Sequence, residues 1–192
     1  MMSLASYQTF LNEQENLLRQ SIVDEAMTWL RTPWRHASMV KGAGVDCGQL
    51  LIAVYAECGF IARYTPDYYP QDFAQHSSEE RFLANIERYS SRVELPKKGD
   101  IVVWKYGRCF SHAAIVVDFP VIIHAKIDEG VLLDDGLQGD LYGREHRFYS
   151  VITDYKSPTA PSRCSPPFPK GEALKKGGLF PSLKNQQDYS PL

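Results

Sequence analysis

Apolar residues recur at steps of three and four as far as residue 58, and from Asp100 onward they fall instead into short β-branched runs. That one change of period constrains the fold more than any other feature. A chain that is helical first and stranded later builds an α+β domain with helices packed on an antiparallel sheet, not the alternating units of a parallel one. Leu17, Leu18, Ile22, Val23, Ala26, Trp29 and Leu30 predict an amphipathic helix over roughly Glu13 to Leu30, stopped by Thr32-Pro33. A second helix starts behind Asp46, a good N-cap, carries Leu50, Leu51, Val54, Tyr55 and Cys58 on its apolar face, and stops at Gly59. Residues 60 to 78 read as loop and Glu79 to Tyr89 as a short surface helix. Ile101 to Trp104, Ala113 to Val117, Val121 to Ala125 and Val131 to Leu133 read as strands, with turns at Asp118-Phe119-Pro120 and Asp128-Glu129-Gly130.

The pattern ends near Lys156. Seven of the twelve prolines lie between Ser157 and Leu192, a segment of charge +3 that leaves −5 on residues 1–156. The domain is therefore expected over 1–156, followed by a disordered Pro/Gly/Lys-rich tail over 157–192. With 21 basic against 23 acidic residues the chain has no field able to hold nucleic acid through its phosphates. It shows neither a bilayer-length apolar run nor a signal-peptide pattern, so synthesis in the cytoplasm without membrane insertion is expected. Four cysteines at irregular spacing do not make a disulfide framework.

Cys47 is the first residue of the second helix, where unpaired N–H groups and the positive end of the helix dipole favour a thiolate. It reads as a nucleophile, against the alternative of a buried structural cysteine. Cys58, eleven residues on, reads as core. Among the five histidines, His112 opens one strand and His124 closes the next. Taking the hairpin centre at residue 118, the two imidazoles face each other from one side of the sheet, as a general base and the group that orients it. His76 and His146 sit in polar stretches and read as surface residues. A zinc site of Cys47, His112 and His124 is the weaker reading, because no element supplies two ligands; no metal or cofactor is expected.

Asp46-Cys47, Gly99-Asp100-Ile101-Val102-Val103, Ser111-His112-Ala113-Ala114-Ile115-Val116 and Ile123-His124-Ala125 follow one another in the order and spacing of the NlpC/P60 superfamily of papain-like cysteine peptidases, which this chain resembles from about Thr32 to Ala125. A narrower resemblance is to the phage tail-associated cell-wall peptidases. It is carried by Thr32-Pro33-Trp34-Arg35-His36, by Gly107-Arg108-Cys109-Phe110-Ser111-His112, by Gly130-Val131 with an Asp shortly after His124, and by Arg144 to Ser150. The resemblance implies a thiol peptidase cutting an amide in the peptidoglycan stem peptide, commonly between γ-D-glutamyl and a diamino acid. It also implies a phage or prophage tail protein, with tail proteins as partners and delivery to the periplasm or cell wall. His36 stands where cellular members carry a tyrosine, which implies an oxyanion or substrate contact; a histidine packed only for structure is the alternative. The chain departs from the family at Gly48-Gln49, where Ser-Gly is usual. A tail-assembly protein without turnover, and an amidase or transacylase using the same thioester, are the competing functions.

Overall fold

The structure, a computed structural model, describes residues 3–152. The expected tail of residues 157–192 lies outside them. Chain order is α1 (Leu4–Met27), β1 (Met39–Val40), β2 (Gly44–Val45), α2 (Cys47–Glu57), α3 (Phe73–His76), α4 (Arg81–Glu87), β3 (Ser91–Val93), β4 (Ile101–Tyr106), β5 (Cys109–Asp118), β6 (Val121–Lys126), β7 (Gly130–Asp135), a 3-10 turn (Gly139–Leu141) and β8 (His146–Ser150). β1 and β2 form a small hairpin, and the other six strands form one antiparallel sheet in the order β3-β8-β4-β5-β6-β7. The fold is α+β.

α1 begins nine residues before the expected start, because the Ser3 hydroxyl accepts from the Ser6 N–H and caps a first turn with no apolar face. Ile22, Val23, Ala26 and Trp29 bury its later turns, whereas Leu17 stays exposed. α2 follows the pattern: Asp46 caps it through the Gln49 N–H, and Gly59 ends it at a positive φ of 77°. Its residues Leu50, Leu51, Ala53, Val54 and Tyr55 are buried against the face of the sheet that carries Ile101, Val103, Ala113, Ile115 and Ile123. The other face packs Val102, Trp104, Ala114, Val116 and Ile122 under Leu141, so β4 and β5 are apolar on both sides.

One buried ion pair fastens α1 to the sheet. Arg19, only 5% exposed, donates to Asp100 Oδ1 at 2.7 Å and to the Lys98 carbonyl, and Asp100 Oδ2 takes the Lys97 N–H. The Gly99-Asp100 motif is thus an anchor for the strand that enters the core. A second fastening joins the sheet edge to the loop after α1: Arg31 N–H donates to the Val131 carbonyl and Val131 N–H to that of Thr32. Gly130 permits it, since at its φ of 81° a Cβ would lie 2.5 Å from the Thr32 oxygen.

Candidate active site

Cys47 occupies the first position of α2 and lines a groove of about 1510 Å³ together with His36, Ser111, His112, His124 and Asp134. Its Sγ lies 3.9 Å from the Ser111 carbonyl oxygen, which puts the sulfur at the strand position just before His112. A bulge across from Trp104 and Lys105 sets Ser111 out of the β4–β5 ladder.

His112 Nε2 and His124 Nδ1 are 2.8 Å apart, with ring centroids 5.0 Å apart in an edge-to-face arrangement. The expected meeting of the two imidazoles is there, but by a different register. Ile115 pairs with Ile123 and Val116 with Ile122, and a bulge before Asp118 moves the hairpin centre from residue 118 to 119. His124 is therefore the diagonal neighbour of His112 on the same side of the sheet, a spacing that two rings can bridge.

Asp134, on β7, completes the row. Its Oδ2 lies 3.3 Å from His124 Nε2, an ion-pair approach not aligned as a hydrogen bond, and that nitrogen is buried with no hydrogen-bond partner among the described residues. A carboxylate only accepts, so it favours the proton on His124 Nε2. Nδ1 of His124 is then an acceptor, His112 must donate from Nε2, and His112 Nδ1 is left with a free lone pair. The tautomers are ordered from the far end.

Burial dominates the electrostatics. It pushes the Cys47 thiol up to about 12, with the Asp46 carboxylate adding to the effect and N–H groups of Ala113, Gly48 and Cys47 opposing it. Burial likewise pushes His112 down to about 3, followed by the charges of His124, Arg144 and Lys126. Both shifts favour a neutral thiol beside a neutral imidazole over the thiolate expected at the helix start. Burial is the main cause, and the Asp46 carboxylate, which already occupies the positive end of the helix, adds to it.

Asp46 is itself a hub. Its Oδ2 accepts from the Ala37 N–H at 2.7 Å and from the Tyr69 hydroxyl at 2.6 Å. His36 Nε2 donates to the Tyr69 carbonyl at 2.8 Å, its ring stands edge-on to Tyr69, and its Nδ1 is 3.9 Å from Asp46 Oδ2. His36 is thus brought into the groove beside Cys47 with its Nε2–H given to the Tyr69 carbonyl. The Gly48-Gln49 departure has a structural counterpart as well. A Cβ at Gly48 would lie 3.1 Å from the Phe82 ring of α4, and Gln49 Nε2 reaches the Tyr69 hydroxyl at 3.4 Å.

Cys58 is buried as expected, and His76 is an exposed residue paired with Asp72. His146 is corrected: it is half-buried in β8 opposite Trp104, against the rings of Trp104, Phe119 and Phe148. Sequence reasoning assigned no role to Asp134, Tyr69, Tyr106 or Arg144. Signals existed for two of them in the narrower resemblance, which includes Arg144 to Ser150 and an Asp after His124 that was not fixed on Asp134.

The sequence model of the NlpC/P60 family matches residues 31–146, most of the described domain. The chain belongs to the NlpC/P60 family. Solved structures of NlpC/P60 proteins resemble it at low identity. The NlpC/p60 domain of the peptidoglycan hydrolase SagA is 20% identical with a TM-score of 0.45, over 67% of this chain and 96% of that one. NlpC1 from Trichomonas vaginalis is 14% identical with a TM-score of 0.49, over 69% of this chain and 42% of that one. An NLP/P60 lipoprotein-like protein from Staphylococcus aureus is 19% identical with a TM-score of 0.48, over 71% and 42%. The NlpC/P60 domain here thus spans about two-fifths of the latter two chains. No curated protein matches. Among the described residues no helix is long and apolar enough to cross a membrane.

Proposed function

We propose that this NlpC/P60 protein is a cysteine peptidase that hydrolyses an amide of the peptidoglycan stem peptide, commonly the γ-D-glutamyl bond to a diamino acid, and that it acts as a component of a phage or prophage tail. The observation that carries the enzymatic reading is the row Cys47, His112, His124, Asp134 along one groove, ordered so that His112 Nδ1 is free to take a proton. Cys47 Sγ attacks the carbonyl carbon while its proton passes to His112. The negative oxygen that develops is held by backbone N–H groups at the start of α2. When the intermediate collapses, the C–N bond breaks and His112 returns the proton to the departing amine, leaving a thioester on Cys47. Water, deprotonated by His112, then attacks the thioester and releases the acid. His124 holds the His112 ring and, with Asp134 behind it, stabilises the imidazolium of each half-reaction.

The tail assignment rests on the motifs shared with phage tail-associated members, and tail proteins are the partners it calls for. Digesting purified peptidoglycan and weighing the released fragments tests the activity: new amino termini on the diamino acid support it, and an intact wall after long incubation, with Cys47 reduced and the protein folded, overturns it.

A further inference from the structure

Arg144 lines the same groove and, among the described residues, has no carboxylate to balance its charge. Its guanidinium stacks on Tyr106 with the central carbon 3.8 Å from the ring centre, and Tyr106 in turn stands edge-on to His112 at 5.5 Å. One aromatic ring therefore separates the cation from the general base. The Arg144 head is fixed by two backbone carbonyls: Nε donates to Asp140 and one terminal nitrogen, at 3.5 Å, to Lys105. Among the described residues it forms no ion pair, whereas Lys126, the other cation near His112, is held by Glu129 at 2.7 Å. A guanidinium has five N–H donors, and two are spent here. The rest belong to a half-buried head that lines the groove beside Tyr106. Bidentate pairing with a planar anion is what a guanidinium fork does best.

The side of the groove follows from its neighbours. Asp46, Gln49, Tyr69 and His36 crowd the helix wall around Cys47. Arg144 stands on the sheet wall past His112, the group that protonates the leaving amine. We propose that Arg144 is a specificity-determining residue that binds a carboxylate on the leaving-group side of the scissile amide, so that the substrate is a peptide whose amine-contributing residue carries a free carboxylate. This deepens the peptidase reading and rests on it for the direction of the chain, while the binding of the anion can be measured without turnover.

The test uses the full chain carrying Cys47→Ala and two probes, the tripeptide L-Ala-γ-D-Glu-meso-diaminopimelate and its counterpart with the diaminopimelate carboxyls converted to carboxamides. Calorimetry is expected to give at least tenfold tighter binding of the carboxylate form. Adding Arg144→Gln should bring the two peptides within about twofold of each other, and Arg144→Lys, which keeps the charge and loses the fork, should restore only part of the difference. Melting curves of the three proteins establish that each is folded. Equal affinities in the Cys47→Ala background, a preference that survives Arg144→Gln, or no binding of the carboxylate form would each overturn the inference. Hydrolysis of peptidoglycan by the wild-type chain is measured separately: Arg144-dependent binding without any hydrolysis leaves the anion site standing and removes the peptidase reading.

Discussion

Removing the Asp134 charge tests the proton chain without touching Cys47 or His112. Asp134→Asn offers His124 Nε2 an amide that can donate as readily as accept, so the tautomer order from β7 to the sulfur is lost. We expect kcat to fall roughly ten- to a hundredfold with KM nearly unchanged, since the group acts on the imidazolium and not on bound peptide; an equal rise in KM would make Asp134 a binding residue instead. Cys47→Ala should abolish hydrolysis while leaving the melting temperature within a few degrees, and residual turnover would remove Cys47 as nucleophile. The pH profile follows from His112. Its folded value, about 3, is below the ordinary imidazole value, so it remains a proton acceptor as the pH falls through 6.5. kcat/KM should accordingly stay flat from pH 8 down to about 5, and an acid limb centred near 6.5 would contradict the buried neutral pair. Cys47, His112 and His124 were legible in the sequence because position on a helix and parity on a hairpin are local properties. The thiol's protonation state was not, because it depends on burial by distant elements and on the hydrogen bonds that gather on Asp46.

Elements with a one-sided or unbroken apolar pattern could be read from the chain, and those held by partners could not. α2 and β4 to β7 carry continuous apolar runs, which is why their existence and order were evident. β8, with His146, Arg147, Phe148, Tyr149 and Ser150, reads as a charged stretch until β3 and β4 flank it and its first two residues turn out to pack on Trp104 and Phe110. The first turns of α1 have no apolar face to detect, only the Ser3 cap. The join between α1 and β4 gives the prediction at this scale. Arg19 and Asp100 are both buried, and deleting Asp100 leaves the Arg19 guanidinium with only the half-buried Glu15 to balance its charge and removes the acceptor of the Lys97 N–H. Asp100→Ala should cost about 3–5 kcal/mol in chemical denaturation, whereas Asp118→Ala, on an exposed strand end, should cost little. Similar losses for the two would deny the anchor.

The sheet closes on residues that lie close to the end of the described chain. β8 inserts between β3 and β4, Tyr149 is buried and donates to Glu87, and Ile152 packs against the main core while its N–H reaches the Ser150 hydroxyl. Every side chain assigned to the reaction, and Arg144 beside it, lies within residues 3–152. The family match ends at residue 146, earlier still. A domain whose last strand sits between two others does not tolerate loss of that strand, but it has no structural claim on sequence beyond the strand's own contacts. Ending the chain after Lys156 should therefore leave the melting temperature within about 2 °C and kcat/KM on soluble stem peptides within twofold, whereas ending it after Glu145 should prevent folding. Binding to tail proteins is the readout that separates a spare segment from an assembly arm: the chain ended at Lys156 keeps peptide hydrolysis in either case, and it loses co-purification with a phage tail only if residues 157–192 make that contact. A large drop in melting temperature on removal of residues 157–192 would place part of the fold in the proline-rich segment and move the domain boundary with it.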